Sequence, residues 1–241
     1  MKVIICKNYD EIARKATSMV IQEIKKNPQL NIGLATGSSP LGLYKNLIEA
    51  FKNKEVSFSG VTSYNLDEYI GIDRSHPQSY YRFMFENLFK HIDIKPENIH
   101  LPNNDLSQID HIANDYNKIL HENPLDLQIL GIGSNGHIGF NEPGTPLESE
   151  TFIVTLDEQT RKDNSRFFKS IDEVPQYAIT MGIKNIMYSK KIILIASGKE
   201  KAKAIHEMIK GKITTKFPAS ILQLHPDCTI ILDTESASQL S

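Results

Sequence analysis

The chain has 241 residues, 40% hydrophobic and 23% charged, with a formal net charge of −2 at pH 7. This suits one large soluble domain with a full core, and the absence of a global basic field argues against nucleic acid as the main partner. Cys6 and Cys228 fit neither a zinc spacing nor a disulfide framework, and no apolar run suits a signal peptide or a membrane span, so a cytoplasmic protein is expected.

Short β-branched runs alternate with helical periodicity along the sequence. "VIIC" (3–6) reads as a strand, and Ile12, Ala16, Val20 and Ile24 recur every fourth residue as one face of a helix. "NIGLAT" (31–36) is the next strand, followed by a helix lined by Tyr44, Leu47, Ile48 and Phe51. Further strands are expected at "VTSYNL" (61–66), "IHL" (99–101), "LQILGI" (127–132), "TFIVTL" (151–156), "KIILIA" (191–196) and "TIIL" (229–232), with helices near 78–90, 107–121 and 199–210. The alternation predicts a three-layer α/β fold, Rossmann-like, with a mostly parallel sheet and helices on both faces. No linker divides it, so 1–241 reads as a single domain. The polar stretch 157–180 reads as a lid segment.

Ligands of open parallel sheets bind beyond the carboxyl ends of the strands, so the residues after each strand matter most. After "NIGLAT", Thr36, Gly37, Ser38 and Ser39 offer backbone donors and three hydroxyls at a helix start. Pro40 suits the first helical position and a serine the N-cap, so the stretch is either a phosphate cradle or an ordinary capped turn. After "VTSYNL" come Asp67 and Glu68, either solvated or capping acids or a base at a strand tip. After "KIILIA", Lys199, Lys201 and Lys203 crowd the positive end of a helix, a cost that a bound anion would offset. Arg161 and Arg166 lie in the lid stretch, where one could close on the same anion.

The stretch "LGIGSNGHIGFNEP" (130–143) contains a formal G-x-G-x-x-G, and Asp157 follows at the spacing that a dinucleotide site asks for. That site needs a helix to begin at the third glycine. Gly139, Pro143, Gly144 and Pro146 break any helix here, which removes the dinucleotide reading. What remains is a strand tip delivering Asn135, His137, Asn141 and Glu142. This is either an acid–base unit or a structural loop histidine, and too thin a ligand set for a metal.

The segments "ATGSSPLGLY", "SYNLDEYIG", "HPQSYYRFM", "GIGSNGHIGFNEPG", "TRKDNSRFF" and "ILQLHP" resemble, in order and spacing, the glucosamine-6-phosphate deaminase (isomerase) family over roughly residues 1 to 235. The resemblance implies conversion of glucosamine 6-phosphate and water to fructose 6-phosphate and ammonia, with no cofactor and no metal. It implies that Asp67 moves a proton from sugar carbon 2 toward carbon 1, and that His137 opens the ring with Glu142 and Asn135. The phosphate ligands it implies are Thr36, Gly37, Ser38, Ser39, Arg166 and Lys201. Some members carry Asp where this chain has Asn135. The hexameric, allosterically activated members are longer at the C-terminus and carry basic effector ligands near the positions of Phe152 and Val154. The resemblance therefore implies a monomer or small homo-oligomer without that activation.

Two rivals share the fold. In 6-phosphogluconolactonases the residues after the histidine usually run to Leu-Phe-Pro, unlike Phe140-Asn141-Glu142-Pro143, and the "LDEY" pair differs. Sugar-phosphate sensors of repressors usually carry an N-terminal helix-turn-helix, whereas this sequence starts on a strand.

Overall fold

A computed structural model describes residues 1–156, 168 and 170–240. Its elements run β1 (Lys2–Cys6), α1 (Tyr9–Lys26), β2 (Asn31–Leu34), α2 (Leu41–Lys52), β3 (Thr62–Asn65), β4 (Asp67–Ile70), α3 (Tyr80–Asn87), β5 (Ile99–His100), α4 (Ile109–Glu122), β6 (Leu127–Leu130), β7 (Phe152–Thr155), β8 (Tyr177–Thr180), α5 (Ile183–Met187), β9 (Ile192–Ala196), α6 (Ala202–Lys210) and β10 (Cys228–Asp233).

The predicted helical face of α1 is buried as read: Ile12, Ala16, Val20 and Ile24 all lie inside. Its ends follow from capping. The Asn8 side chain accepts the Glu11 N–H at 3.0 Å, acids Asp10 and Glu11 occupy the first turn, and Lys25 and Lys26 the last.

Seven strands form one parallel sheet in the order β1-β10-β9-β6-β2-β3-β5. Alternate residues of its strands enter two separate apolar clusters. In β9, Ile193 and Ile195 pack with the faces of α1 and α2, while Ile192, Leu194 and Ala196 pack with α4, α5 and α6. Each such side chain, fully buried, contributes about 1.5–3 kcal/mol. A sheet covered on both faces requires near-continuous apolar strands, which is why β6, β9 and β10 are buried throughout.

Two strands escape the sequence reading, β4 and β8, and with the predicted β7 they make a second, three-stranded antiparallel sheet in the order β4-β8-β7. Residues 67–70, read as a strand tip, are themselves strand β4. The proposed lid 157–180 is corrected at its far end: Ile171–Glu173 form a 3₁₀ turn and Tyr177–Thr180 are β8, the central strand of this sheet. Residues 157–167 and 169 of that stretch, with Asp157, Arg161 and Arg166, lie outside the described residues. The lid reading is thus confined to residues the structure does not describe.

One residue separates β3 from β4 and hydrogen-bonds into both sheets. Leu66 donates its N–H to the Leu34 carbonyl at 3.1 Å, extending the β2–β3 ladder, and accepts the Met181 N–H at 2.7 Å, extending β4–β8. Its side chain is buried in the cluster under α4.

Among the described residues no helix is long and apolar enough to cross a membrane. Ile129, fully buried in the centre of β6, supports the strand that leads into the glycine-rich loop. Ile129→Ala is expected to lower unfolding stability by about 2–5 kcal/mol, read from urea denaturation midpoints.

Candidate active site

The parallel sheet changes winding direction between β2 and β6. From β2 the chain goes on to β3 and β5 on one side, and from β6 to β9 and β10 on the other. The loops leaving these two adjacent strands diverge and open a crevice, the place where such sheets receive ligands. The loops after β2, β6 and β9 and the junction after β3 all emerge at this carboxyl edge. Together they carry the predicted residues Thr36 to Ser39, Asn135 to Glu142, Lys201 and Asp67.

The loop after β2 is shaped by an element the sequence reading did not connect to it. Gly37 takes φ +89, a conformation that favours glycine, and Gly37 and Ser38 are exposed while Thr36 and Ser39 are half-buried. The Tyr9 hydroxyl of α1 donates to this loop, within reach of the Ser38 and Ser39 carbonyls at 3.0 and 3.1 Å, and accepts the Gly42 N–H at 2.8 Å. Here the capping expectation is corrected. The helix starts at Leu41, Pro40 sits at the N-cap, and no side chain at the cap position bonds the first turn. Tyr9 fills that role, leaving the serine hydroxyls uncommitted to the helix. The Ser39 hydroxyl packs close against the backbone just after β6, where a Cβ on Gly131 would come within 3.2 Å of it.

No helix occurs between β6 and β7, so the glycine pattern belongs to a loop, as read from its prolines and glycines. Each glycine there has a separate spatial cause. A Cβ at Gly133 would strike the His137 ring at 2.3 Å, and one at Gly136, where φ is +86, would strike Phe217 at 2.6 Å. The Gly133 N–H closes the loop on the His137 carbonyl at 2.9 Å.

Around the imidazole, His137 Nδ1 lies 3.1 Å from Glu142 Oε1. The approach is off the N–H axis, so the two groups touch without a well-formed hydrogen bond. Asn135 holds both. Its NH₂ donates to Glu142 Oε2 at 2.6 Å, and its Oδ1 accepts the His137 backbone N–H at 3.2 Å. A carboxylate in one direction and an N–H in the other fix which end of the amide points where. Asn135 therefore acts on the imidazole indirectly, by fixing Glu142 and the main chain of His137.

Asp67, the first residue of β4, is only 7% exposed. Burial, with a smaller contribution from the adjacent Glu68 charge, pushes its carboxyl up to about 8. The turn at Gly139, φ +58, passes directly over it: a Cβ there would lie 3.5 Å from Asp67 Oδ2 and 2.9 Å from the Thr180 hydroxyl. Thr180, opposite Asp67 in the β4–β8 register, accepts the Phe140 N–H at 3.1 Å, and the fully buried Asn141 donates to the Ile138 and Met181 carbonyls, both at 2.8 Å. The loop bearing His137 is thus pinned to the sheet bearing Asp67. Thr180 escaped the sequence reading because "YAIT" is a four-residue run inside a polar stretch.

Lys201 closes a 3₁₀ turn after β9 that begins at Gly198, φ +88, and is half-buried. The Asp233 carboxylate at the end of β10 receives the Gly198 N–H, at 3.0 Å to Oδ2, and holds the turn in place. Arg166 lies outside the described residues. Among those described, no three His, Cys, Asp or Glu side chains converge as a metal group. A cavity of about 990 Å³ opens at the far end of β4, near Ile72 and His76, but Asp67 and His137 do not line it, so the chemistry points to the carboxyl edge instead.

Residues 7–231 match the family model described as glucosamine-6-phosphate isomerases/6-phosphogluconolactonase. The chain belongs to this family. It is 56% identical to the glucosamine-6-phosphate deaminase of Thermoanaerobacter pseudethanolicus, covering 99% of this chain and 94% of that one. It is 54% identical to that of Clostridium novyi over the whole of both chains. Among solved structures it is similar to a monomeric glucosamine-6-phosphate deaminase, with a TM-score of 0.94 and 44% identity over 99% of this chain and all of that one. The 6-phosphogluconolactonase of Trypanosoma brucei shares the fold at a TM-score of 0.82, with 19% identity over 100% of this chain and 98% of that one.

Two outcomes test this geometry. Asn135→Asp sets a second carboxylate against Glu142, and like charges in contact share a proton; the pair should then titrate at higher pH than Glu142 does in the parent, read by carbon-13 NMR of the carboxyls. Asp67 has the opposite sign from a paired surface acid. Its folded value lies above its unfolded one, so stability falls as pH rises from about 4 to about 8. Asp67→Asn removes that loss, so the gap in Tm between variant and parent should widen over the same interval.

Proposed function

We propose that this protein is a glucosamine-6-phosphate deaminase, converting glucosamine 6-phosphate and water to fructose 6-phosphate and ammonia within a single domain. The observation carrying this reading is the buried Asp67 carboxylate held under the turn that bears the His137–Glu142 pair. Full-length likeness to deaminases at more than half identity supports the same activity.

In this reading the sugar phosphate is anchored by the Thr36–Ser39 loop and Lys201, with Arg166 as a further ligand. A remote phosphate clamp converts binding energy into positioning at the reacting carbons. His137 transfers the proton between the ring oxygen and the anomeric hydroxyl, breaking the carbon 1–ring oxygen bond. Glu142, held by Asn135, sets the orientation of the imidazole and balances its charge when protonated. Ring opening acidifies the hydrogen on carbon 2. Asp67 takes it, an enolamine forms, and the same proton is delivered to carbon 1. The resulting imine at carbon 2 adds water and releases ammonia. An Asp buried out of water is matched to this step, because its raised proton affinity makes it a stronger base than an exposed carboxylate. The proposed setting is the cytoplasm, as a monomer or small homo-oligomer acting on a small molecule, with no nucleic acid or membrane partner and no cofactor.

The test is ammonia release from glucosamine 6-phosphate, with galactosamine 6-phosphate and 6-phosphogluconolactone alongside. Activity on the lactone alone would sink the proposal. Asp67→Asn should cost about 10²–10⁴-fold in kcat while sugar-phosphate binding persists. His137→Gln should slow the closed-ring substrate more than the open-chain form, and equal slowing would remove the ring-opening role. For the parent, kcat/KM should climb with pH until Asp67 is ionised, near pH 8.

A further inference from the structure

We propose that Glu68 is a positioning residue for this site: its buried carboxylate clamps the first turn of α3 to β4 and thereby holds the wall around Asp67. The inference rests on the reading of Asp67 as the base.

Glu68 is 1% exposed and has no role in the chemistry above. Its two oxygens accept three backbone N–H groups. Oε1 takes those of Tyr69 at 2.8 Å and Tyr80 at 2.9 Å, and Oε2 takes that of Tyr81 at 2.8 Å. Tyr80 and Tyr81 are the first two residues of α3, whose leading N–H groups have no partner within the helix. The remaining donors of that turn are met by Ser79: Arg82 N–H bonds its hydroxyl at 3.1 Å and Phe83 N–H its carbonyl at 3.0 Å. Every early donor of α3 is therefore accounted for, and two of them depend on a side chain covalently adjacent to Asp67. A carboxylate there is also favoured by the positive end of the helix.

Through the clamp, Glu68 places Tyr80. The Tyr80 ring stacks on Phe140 at 6.2 Å, and Tyr69 meets both rings, at 5.0 and 5.9 Å. Phe140 belongs to the turn that passes over Asp67, so this aromatic trio connects the α3 anchor to the catalytic loop. Glu68 from β4 is the titratable group that acts on Asp67, and the Asp67 charge is in turn felt by Tyr69 from β4, Tyr44 from α2, Tyr80 from α3 and Tyr116 from α4. Burial raises all four tyrosines, so they stay neutral near neutral pH. Glu68 is then the charge felt by Asp67 among these groups, and it is itself partly balanced by Arg74.

Glu68→Gln keeps the shape but removes the charge and turns an NH₂ against a backbone N–H. In the folded enzyme kcat should fall about ten- to a hundredfold with KM little changed. The acid limb of kcat/KM should move to lower pH, because a negative neighbour of Asp67 is gone. Glu68→Asp keeps the charge but shortens the reach, so kcat should fall while the limb stays. Parent-like kcat and limb in Glu68→Gln would overturn the proposal. So would a loss carried by KM alone, or a folded, slow variant with an unmoved limb, which marks a merely structural role. Should neither variant fold, amide exchange in the parent decides. Tyr80 and Tyr81 N–H should be as protected as the amides of β4, and fast exchange there would overturn the clamp. Asp67→Asn run in parallel separates the two readings: turnover retained in that variant removes the base, while the exchange result still judges the clamp.

Discussion

The pairing of β2 with β6 is the contact from which the site follows. It brings Ile32 beside Leu127 and Gly33 beside Gln128, and it is close enough that a Cβ on Gly33 would overlap the Gln128 side chain. Because the chain leaves these neighbours in opposite directions, the loops after them part, and the gap is floored by strand ends instead of filled by a connection. The hydroxyl-rich loop stands on one side of the gap, the histidine loop on the other. Neither arrangement depends on a helix beginning at the third glycine. The same winding rule thus produces a nucleotide-style crevice in a protein whose loop glycines make room for its own His137 and Phe217 rings.

Two acids next to each other in sequence sit in different surroundings because strand alternation turns them to opposite faces of β4. Asp67 receives no backbone donor among the described contacts and is left with a high proton affinity. Glu68 receives three, two of them from the start of a helix. The difference is one of hydrogen-bond supply, since both are buried and both raised by desolvation. A polar site can therefore be differentiated without changing residue class, by deciding which carboxylate the backbone satisfies.

Much of the parallel sheet was legible in the sequence because its strands are short apolar runs separated by periodic helices. The buried faces of α1 and α2 fell where the four-residue spacing put them. Strands β4 and β8 were not legible. "DEYI" hides two acids at buried positions, and "YAIT" follows a polar segment; only their mutual pairing explains either. Asp67, His137, Asn135 and Glu142 could be picked out from their place after strands, but the division of labour between Asn135 and Glu142 needed coordinates. The cap of α2 was beyond local reading, since the group that supplies it, Tyr9, lies 33 residues before the N–H it accepts.

Leu66 carries a mechanical consequence. Its amide belongs to one sheet and its carbonyl to the other, so the joint between them has no spare backbone group and no length to flex. Asp67 and the strand ends beneath the crevice are thus tied by one continuous hydrogen-bonded backbone. In the proposed reaction the Asp67 carboxylate therefore keeps its place relative to the strand ends, and it is the opened carbon skeleton of the sugar that comes to the acid.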